Sequence, residues 1–455
     1  MRRQCCGLLI VLPAMYLIYS VLFSVGLVLM APFYWWRKGR GQGRGHWAER
    51  FGNVPFQESS CGAIWIHAVS LGETLAVAGL VKEMHAAFPQ RKIYLSHVTP
   101  TGREAGEKRL PFAAGRFYSP LDVRWAVRKA LRRIKPSLLV IVETEIWPNL
   151  LRAAGEAGAN VVMVNARMSK KSLRGYSLVR PFMRQVLLNV NEIFAQTEED
   201  AARFRQFVAD PDRVRMMGNL KFDAQPPHLG PFARTLKSAI GHARRGPVLV
   251  AASTMPGEEL LVLEAWDQIR ARYPQALLIL APRHPPRFDE VGREFSQAQR
   301  GYIRRTALAE EPTELSKQLA STSIILLDTI GELAGIFDLA DMVFMGGSLV
   351  PTGGHNILEP AYWSKVIAFG PHMENFRDIA KLFLDAGAAI QVRNPEELAH
   401  ATWLLENKEA RESMGASAKQ VLERHSGATA RTLQGLRKYL DENPQGNETP
   451  SREAK

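Results

Sequence analysis

A chain of 455 residues with 46% hydrophobic and 23% charged side chains has the make-up of a folded protein, which excludes a disordered one, and it is too long for one ordinary core. Its three cysteines, Cys5, Cys6 and Cys61, offer neither a disulfide framework nor metal-ligand spacing, so the globular part is expected in a reducing compartment. The formal net charge of +13 fits nucleic acid, an anionic membrane surface or a phosphorylated substrate, and the position of the charge has to separate them.

From Cys5 to Trp36 no side chain is charged, a run longer than the ~20 residues that cross a bilayer. A cleaved signal peptide would have a shorter apolar region and end in a small-residue site. Here the run ends in Tyr34-Trp35-Trp36, and Arg37, Lys38, Arg40, Arg44 and Arg50 follow. Interfacial aromatics before clustered arginines predict a retained single-pass anchor helix over residues 1–36, with the remainder on the cytoplasmic side and a basic linker at 37–60. Arg2-Arg3 weigh against that orientation.

Ala63 to Val69, AIWIHAV, reads as a buried strand, Ser70 to Glu73 as a turn, and the following residues as an amphipathic helix. The pattern recurs in KIYLSHV, SLLVIVE, NVVMVNA and NEIFAQT, each followed by a helix-like segment. Buried strands alternating with helices argue for a parallel sheet with crossovers, here a Rossmann-like domain over 61–225. Proline and glycine cluster from Asp223 to Phe232, which predicts an interdomain linker at 226–246. A second series, PVLVAAST, QALLILAPR, SIILLDT, DMVFMGGS, KVIAFGP and AAIQV, predicts another such domain over 247–442, and 443–455 reads as a polar disordered tail. Two doubly wound α/β domains would face a cleft where the carboxyl ends of their strands meet.

The polar residues of interest fall just after strands. In the first half they are Ser70, Gly72 and Glu73, then Thr101 and Arg103, then Glu143 and Glu145, then Asn165 and Arg167; of these Ser70, Gly72, Thr101, Arg103 and Arg167 are the candidates for binding an acceptor. Glu73 stands in the first turn of a helix, so it reads equally as a capping glutamate and as a general base for a hydroxyl nucleophile. Glu143 and Glu145 flank the end of an apolar strand, a costly place for charge without a partner, and Lys221 is a plausible one. Arg167, Lys170, Lys171 and Arg174 form either a solvated loop or a seat for an anionic acceptor.

In the second half Arg283 and His284 follow a strand and suit a phosphate. Gly346-Gly347-Ser348 and then Gly353-Gly354, with His355-Asn356-Ile357-Leu358-Glu359 opening a helix, read as a turn whose amides cradle a phosphate; Glu359 could take the hydroxyls of a ribose or simply sit in a first turn. Ile330, Gly331 and Glu332 lie in a third strand-end turn. No GxxxxGK[ST], GxGxxG, HExxH or CxxC is present; Asp210-Pro211-Asp212 reads as a proline turn; and no nucleic-acid motif with interleaved aromatics is found.

WIHAVSLGET, ETEIWPN, VNARMS, GNLKFD, APRHPPRF and GGHNILEPA, in that order, closely resemble the 3-deoxy-D-manno-octulosonic acid (Kdo) transferases over roughly Trp47 to Gly427. The resemblance implies a two-domain GT-B fold and inverting transfer of Kdo from CMP-Kdo to a lipid A precursor (lipid IVA) at the inner membrane, with no metal, no cofactor and no nucleic-acid partner. It further implies that Glu73 is the base and that Glu143 and Lys221 stabilise the transition state. Arg283 and His284, Ile330 to Glu332, and Asn356 to Glu359 match CMP-binding segments. A membrane-associated GT-B glycosyltransferase using a UDP-sugar is the alternative reading.

Overall fold

A computed structural model describes residues 15–30, 46–56, 62–223 and 228–441. The expected tail at 443–455, the basic residues 37–44, the cysteines, and the ends of the expected anchor lie outside the described residues. The chain divides into two units, Met1–Ala224 with Ser426–Lys455, and Gln225–His425.

Among the described residues the first unit is built on a seven-stranded, all-parallel sheet of β1 (Ala63–His67), β2 (Ile93–His97), β3 (Gly115–Tyr118), β4 (Pro136–Val142), β5 (Asn160–Ala166), β6 (Glu192–Ala195) and β7 (Val214–Met216). Its order is β3-β2-β1-β4-β5-β6-β7. Strands β1, β2 and β6 are buried at every residue because helices cover both faces, which is why their sequences run apolar without alternation. Trp65, Phe117, Leu139 and Ile141 face one layer, and Ile64, Ile66, Leu138 and Val140 the other. Each large apolar side chain fully buried there contributes roughly 1.5–3 kcal/mol.

That second layer includes the helix Ala428–Leu440, through Ala428, Leu433, Leu436 and Leu440. Asp223 accepts the amides of Gly427 and Thr429 at its start, and Arg91 donates to the Leu440 carbonyl at 2.6 Å at its end. The expected second domain, 247–442, therefore ends too late: the last helix belongs to the first unit.

The second unit's sheet, also seven-stranded and parallel among the described residues, comprises β8 (Val248–Thr254), β9 (Leu277–Pro282), β10 (Ile303–Arg304), β11 (Ile324–Leu326), β12 (Met342–Met345), β13 (Val366–Phe369) and β14 (Ile390–Gln391), ordered β10-β11-β9-β8-β12-β13-β14. The expected linker at 226–246 is corrected here. Gly230 and Pro231 open the helix Pro231–His242, whose Phe232, Ala233, Leu236 and Ala239 are buried, so the proline-glycine cluster marks a helix start.

The expected basic linker at 37–60 also contains structure. Trp47–Arg50 is a helical turn, and its Glu49 is buried, accepting the Tyr118 amide at 2.6 Å. Residues 15–30 are helical, and at 1.5 Å per residue they reach about 24 Å, less than the ~30 Å hydrocarbon core. Among the described residues no helix is long and apolar enough to cross a membrane.

Candidate active site

In a doubly wound sheet the strand order reverses at one point, and there the loops at the carboxyl ends diverge and leave room for a ligand. In the first unit that point lies between β1 and β4, and Glu73 and Glu143 follow those two strands. Ser70 caps the helix Leu71–Ala87, its Oγ accepting the Glu73 amide at 3.3 Å. The Glu73 carboxylate reaches back, accepting the Val69 amide at 2.7 Å and the Ser70 hydroxyl at 2.9 Å. Glu73 is thus the capping glutamate that its position allows. At 8% exposure, burial also pushes its carboxyl up to about 7. The Val69 amide pulls the value down, Glu145 pushes it up, and Ser70 and Glu143 add smaller opposing effects.

Glu143 leaves β4 with φ 58°, in the left-handed region that non-glycine residues seldom occupy. Its carboxylate lies 3.5 Å from Lys221 and 3.5 Å from Arg167. Glu145 carries a carboxyl raised by burial and accepts Trp147 Nε1–H at 2.8 Å. Lys221 is brought in by Asn165, also left-handed at φ 53°, whose Oδ1 accepts the Leu220 amide at 2.9 Å at the head of the turn Leu220–Asp223. Asn165 stood among the strand-end polar residues, but its partner 55 positions away left no local signal.

Thr101 and Gly102 open the helix Pro100–Arg109 beside Ser70; a Cβ at Gly102 would lie 3.1 Å from the Ser70 carbonyl carbon. Arg103 does not serve as a free anion seat. Its guanidinium donates to both oxygens of buried Glu49, at 2.9 and 3.1 Å, and to Glu107 at 3.2 Å. Gly72 makes no close approach that would require a glycine.

The second unit's reversal point lies between β8 and β12, and an internal carboxylate fills it. Glu258, fully buried, accepts the amides of Gly347 at 2.6 Å, Ser348 at 3.0 Å, Leu349 at 2.9 Å and Met255 at 3.2 Å. The expectation that Gly346-Gly347-Ser348 cradles a phosphate with these amides is therefore corrected: they are already satisfied. Ser348 is buried and donates to the Met345 carbonyl while accepting the Gly370 amide at 2.7 Å. Gly354 donates to the Gly347 carbonyl at 2.7 Å, and its φ of 71° suits glycine.

An arginine and two histidines lie beside this turn. Arg283 and His284 are exposed after β9. His355 is pushed down to about 4, by burial first and then by Arg283 and His284, so the three share one electrostatic neighbourhood. His284 is lowered likewise by burial, Arg283 and Arg287. Asn356 donates to Glu359 at 3.2 Å and accepts the Leu358 amide at 3.2 Å, while the Ile357 and Leu358 side chains are core. Ile330 is 72% exposed beside Gly331 at φ 92°. Glu332, by contrast, is held by Arg305 at 3.0 Å and by the Thr329 hydroxyl.

The model of the family described as 3-deoxy-D-manno-octulosonic-acid transferase (kdotransferase) matches residues 45–224. A 3-deoxy-D-manno-octulosonic acid transferase of Bordetella pertussis is 35% identical over 444 residues, 92% of this chain and 99% of that one. Another, of Haemophilus influenzae, is 31% identical over 402 residues, 87% of this chain and 92% of its own. Among solved structures, a UDP-GlcNAc 2-epimerase of Neisseria meningitidis aligns with TM-score 0.52 at 13% identity, over 84% of this chain and all of that one, a likeness of fold alone. With identity running through both units, the chain belongs to the 3-deoxy-D-manno-octulosonic acid transferase family and is a Kdo glycosyltransferase of lipopolysaccharide synthesis.

Proposed function

We propose that the chain moves Kdo from CMP-Kdo to a hydroxyl of the lipid A precursor lipid IVA, without a metal and with inversion at the anomeric carbon. The observation that carries this reading is Glu73, a nearly buried carboxylate held by Val69 and Ser70 with its proton affinity raised to about 7. A base of that strength is ionised in useful amount near neutrality and still basic enough to accept a proton from an attacking hydroxyl. The acceptor oxygen bonds to the anomeric carbon as the bond to the CMP phosphate oxygen breaks. The hydroxyl proton passes to Glu73, and CMP departs with the electron pair. Arg283 supplies positive charge for the phosphate, and His284 and His355, both pushed toward the neutral form, supply ring N–H donors; Lys221 and Arg167, held by Glu143, supply charge on the acceptor side. Asn356 and Glu359 are assigned to the ribose and the exposed turn at Ile330-Gly331 to the base.

An inner-membrane location, with both units on the cytoplasmic side, is part of the proposal. Its support is the helix at 15–30, where Leu17, Ile18, Val21, Leu22, Val25, Val28 and Leu29 are each at least half exposed. Exposed Leu178 and Val179 lie between the basic residues Lys170, Lys171, Arg174, Arg180 and Arg184. The test is transfer by purified wild type and Glu73→Ala, from CMP-Kdo or a UDP-sugar to tetra-acylated lipid A precursor, with EDTA present. Kdo transfer that survives EDTA and falls about two orders of magnitude or more in the variant is expected. Transfer from the UDP-sugar alone would overturn the donor; undiminished transfer by the variant would reduce Glu73 to its capping role.

A further inference from the structure

The helix at 15–30 does not merely lead into the first unit; it is bonded to it through polar side chains. Tyr19 donates its hydroxyl to Asp122 at 2.8 Å. The same carboxylate accepts the amides of Asn149 at 3.1 Å and Leu150 at 2.8 Å, the first free donors of the helix Pro148–Glu156, whose own N-cap residue, Trp147, offers no side-chain acceptor. Asn149 closes the group, donating to the Asp122 carbonyl at 2.6 Å and to Ser20 at 3.0 Å. Asp122 is 1% exposed, so an ordered set of donors is what allows a carboxylate there.

The position of this hub is what gives it a functional consequence. The helix it caps begins directly after Trp147, the residue that donates to Glu145 at 2.8 Å and meets the ring of buried His67 edge-on at 5.1 Å. Glu145 in turn presses electrostatically on Glu73. A change at Tyr19 therefore reaches the carboxylates through one helix N-terminus and one turn of chain.

We infer that Asp122 is a positioning residue that ties the N-terminal helix to the Glu143–Trp147 turn, so that docking of that helix sets the geometry of the acceptor-side carboxylates. The inference rests on the function proposed above. In the bound arrangement the helix offers its apolar flank outward and its tyrosines inward, which couples seating on a lipid surface to the aim of the turn. Small displacements of such a turn cost rate out of proportion to their size, because the base and the acceptor oxygen must meet within hydrogen-bond reach.

The test uses the full chain in detergent with Tyr19→Phe, Asp122→Asn and Ser20→Ala, measuring kcat, KM for CMP-Kdo and for the lipid acceptor, and the melting temperature. Each protein is also labelled with 5-fluorotryptophan and the Trp147 resonance assigned with Trp147→Phe. The expected result for Tyr19→Phe is a kcat lowered roughly tenfold with an unchanged donor KM, and a shifted or broadened Trp147 signal. A lowered melting temperature with wild-type kcat, KM and Trp147 signal would overturn the inference and leave Asp122 a structural cap only. Should Asp122→Asn fail to fold, Tyr19→Phe and Ser20→Ala carry the test. The fluorine signal needs no substrate, so a wild type inactive with CMP-Kdo would count against the proposed donor while the Trp147 readout still decides the coupling.

Discussion

The carboxylate of Glu258 accepts the amide of Gly347 at 2.6 Å, across 89 positions of sequence, and takes the next two amides as well. This turn has the backbone form of an anion site and already contains its anion, so a bound phosphate has to be met elsewhere, by the charge of Arg283 and the ring N–H donors of His284 and His355. Replacing Glu258 with alanine strands two buried amides, of Gly347 and Ser348, each costing about 1–3 kcal/mol when unsatisfied, and two half-buried ones, of Leu349 and Met255. The expected outcome is a loss of several kcal/mol in denaturant unfolding, with Glu258→Gln intermediate because its amide group keeps one acceptor oxygen. An alanine variant as stable as wild type would mean that the turn does not depend on this carboxylate.

Arg103 and Arg167 were both expected at the acceptor, and the structure separates them. Arg103 neutralises Glu49, which is 7% exposed and also holds the Tyr118 amide. Removing the arginine leaves a nearly buried carboxylate without its cation, and this is expected to destabilise the first unit by about 2–4 kcal/mol. Arg167, 3.5 Å from Glu143 and largely exposed, is expected to act on the substrate instead. Arg167→Ala should raise the acceptor KM severalfold with little change in melting temperature, and Arg103→Ala should do the reverse. Steady-state kinetics and thermal melts of the two variants check the assignment, and an acceptor KM raised only by Arg103→Ala would sink it.

Much of this arrangement was legible in the sequence, for a physical reason. Strands buried on both faces must be apolar throughout, so AIWIHAV and DMVFMGGS announced themselves and drew attention to the residues just after them. Gly115–Tyr118, Val214–Met216 and Ile303–Arg304 are short strands toward the sheet edges, too brief for a continuous apolar run, and they passed unnoticed. The proline and glycine before Phe232 looked like a linker because the residues that start a helix are the ones that break a chain. Glu49, Glu258 and Asp122 were missed for another reason. Each is defined by donors dozens of positions away, and a carboxylate that fills a nest reads locally like any other glutamate or aspartate. Of the two readings of Glu73 that the sequence opposed, the structure shows the capping one, and it leaves room for the proposed base, because the bonds that cap the helix fix the carboxylate in its buried position.

Asp122 gives a pH dependence of stability with a definite sign. Burial raises its carboxyl from the ordinary 3.8 to about 6, although Tyr19 and the two amides pull it back. A folded value above the unfolded one favours the folded state while the group is protonated; that contribution is full below about pH 4 and lost as pH rises through about 6. Two units correspond to roughly 3 kcal/mol. The stability difference between wild type and Asp122→Asn is therefore expected to shift against wild type by up to that amount between pH 4 and 7. Denaturant unfolding at several pH values measures it, and a difference independent of pH would show that Asp122 stays ionised.

Glu73 gives a pH dependence of rate in the opposite sense. Its carboxyl is raised to about 7 by burial, with Glu145 adding to the rise, and as a base it works only when ionised. The proposed transfer should therefore lose kcat/KM as pH falls through about 7, tenfold for each further unit, and reach a plateau above it. Glu145→Gln removes a like charge, so it is expected to move the inflection to lower pH while leaving a plateau in place. Glu73→Gln should lower the plateau by about two orders of magnitude and abolish the inflection. The measurement is kcat/KM for the lipid acceptor from pH 5 to 9 for the three proteins. An inflection unmoved by Glu145→Gln but lost with Glu73→Gln would keep Glu73 as the base and assign its strength to burial alone. An inflection that survives Glu73→Gln would place the titrating group elsewhere.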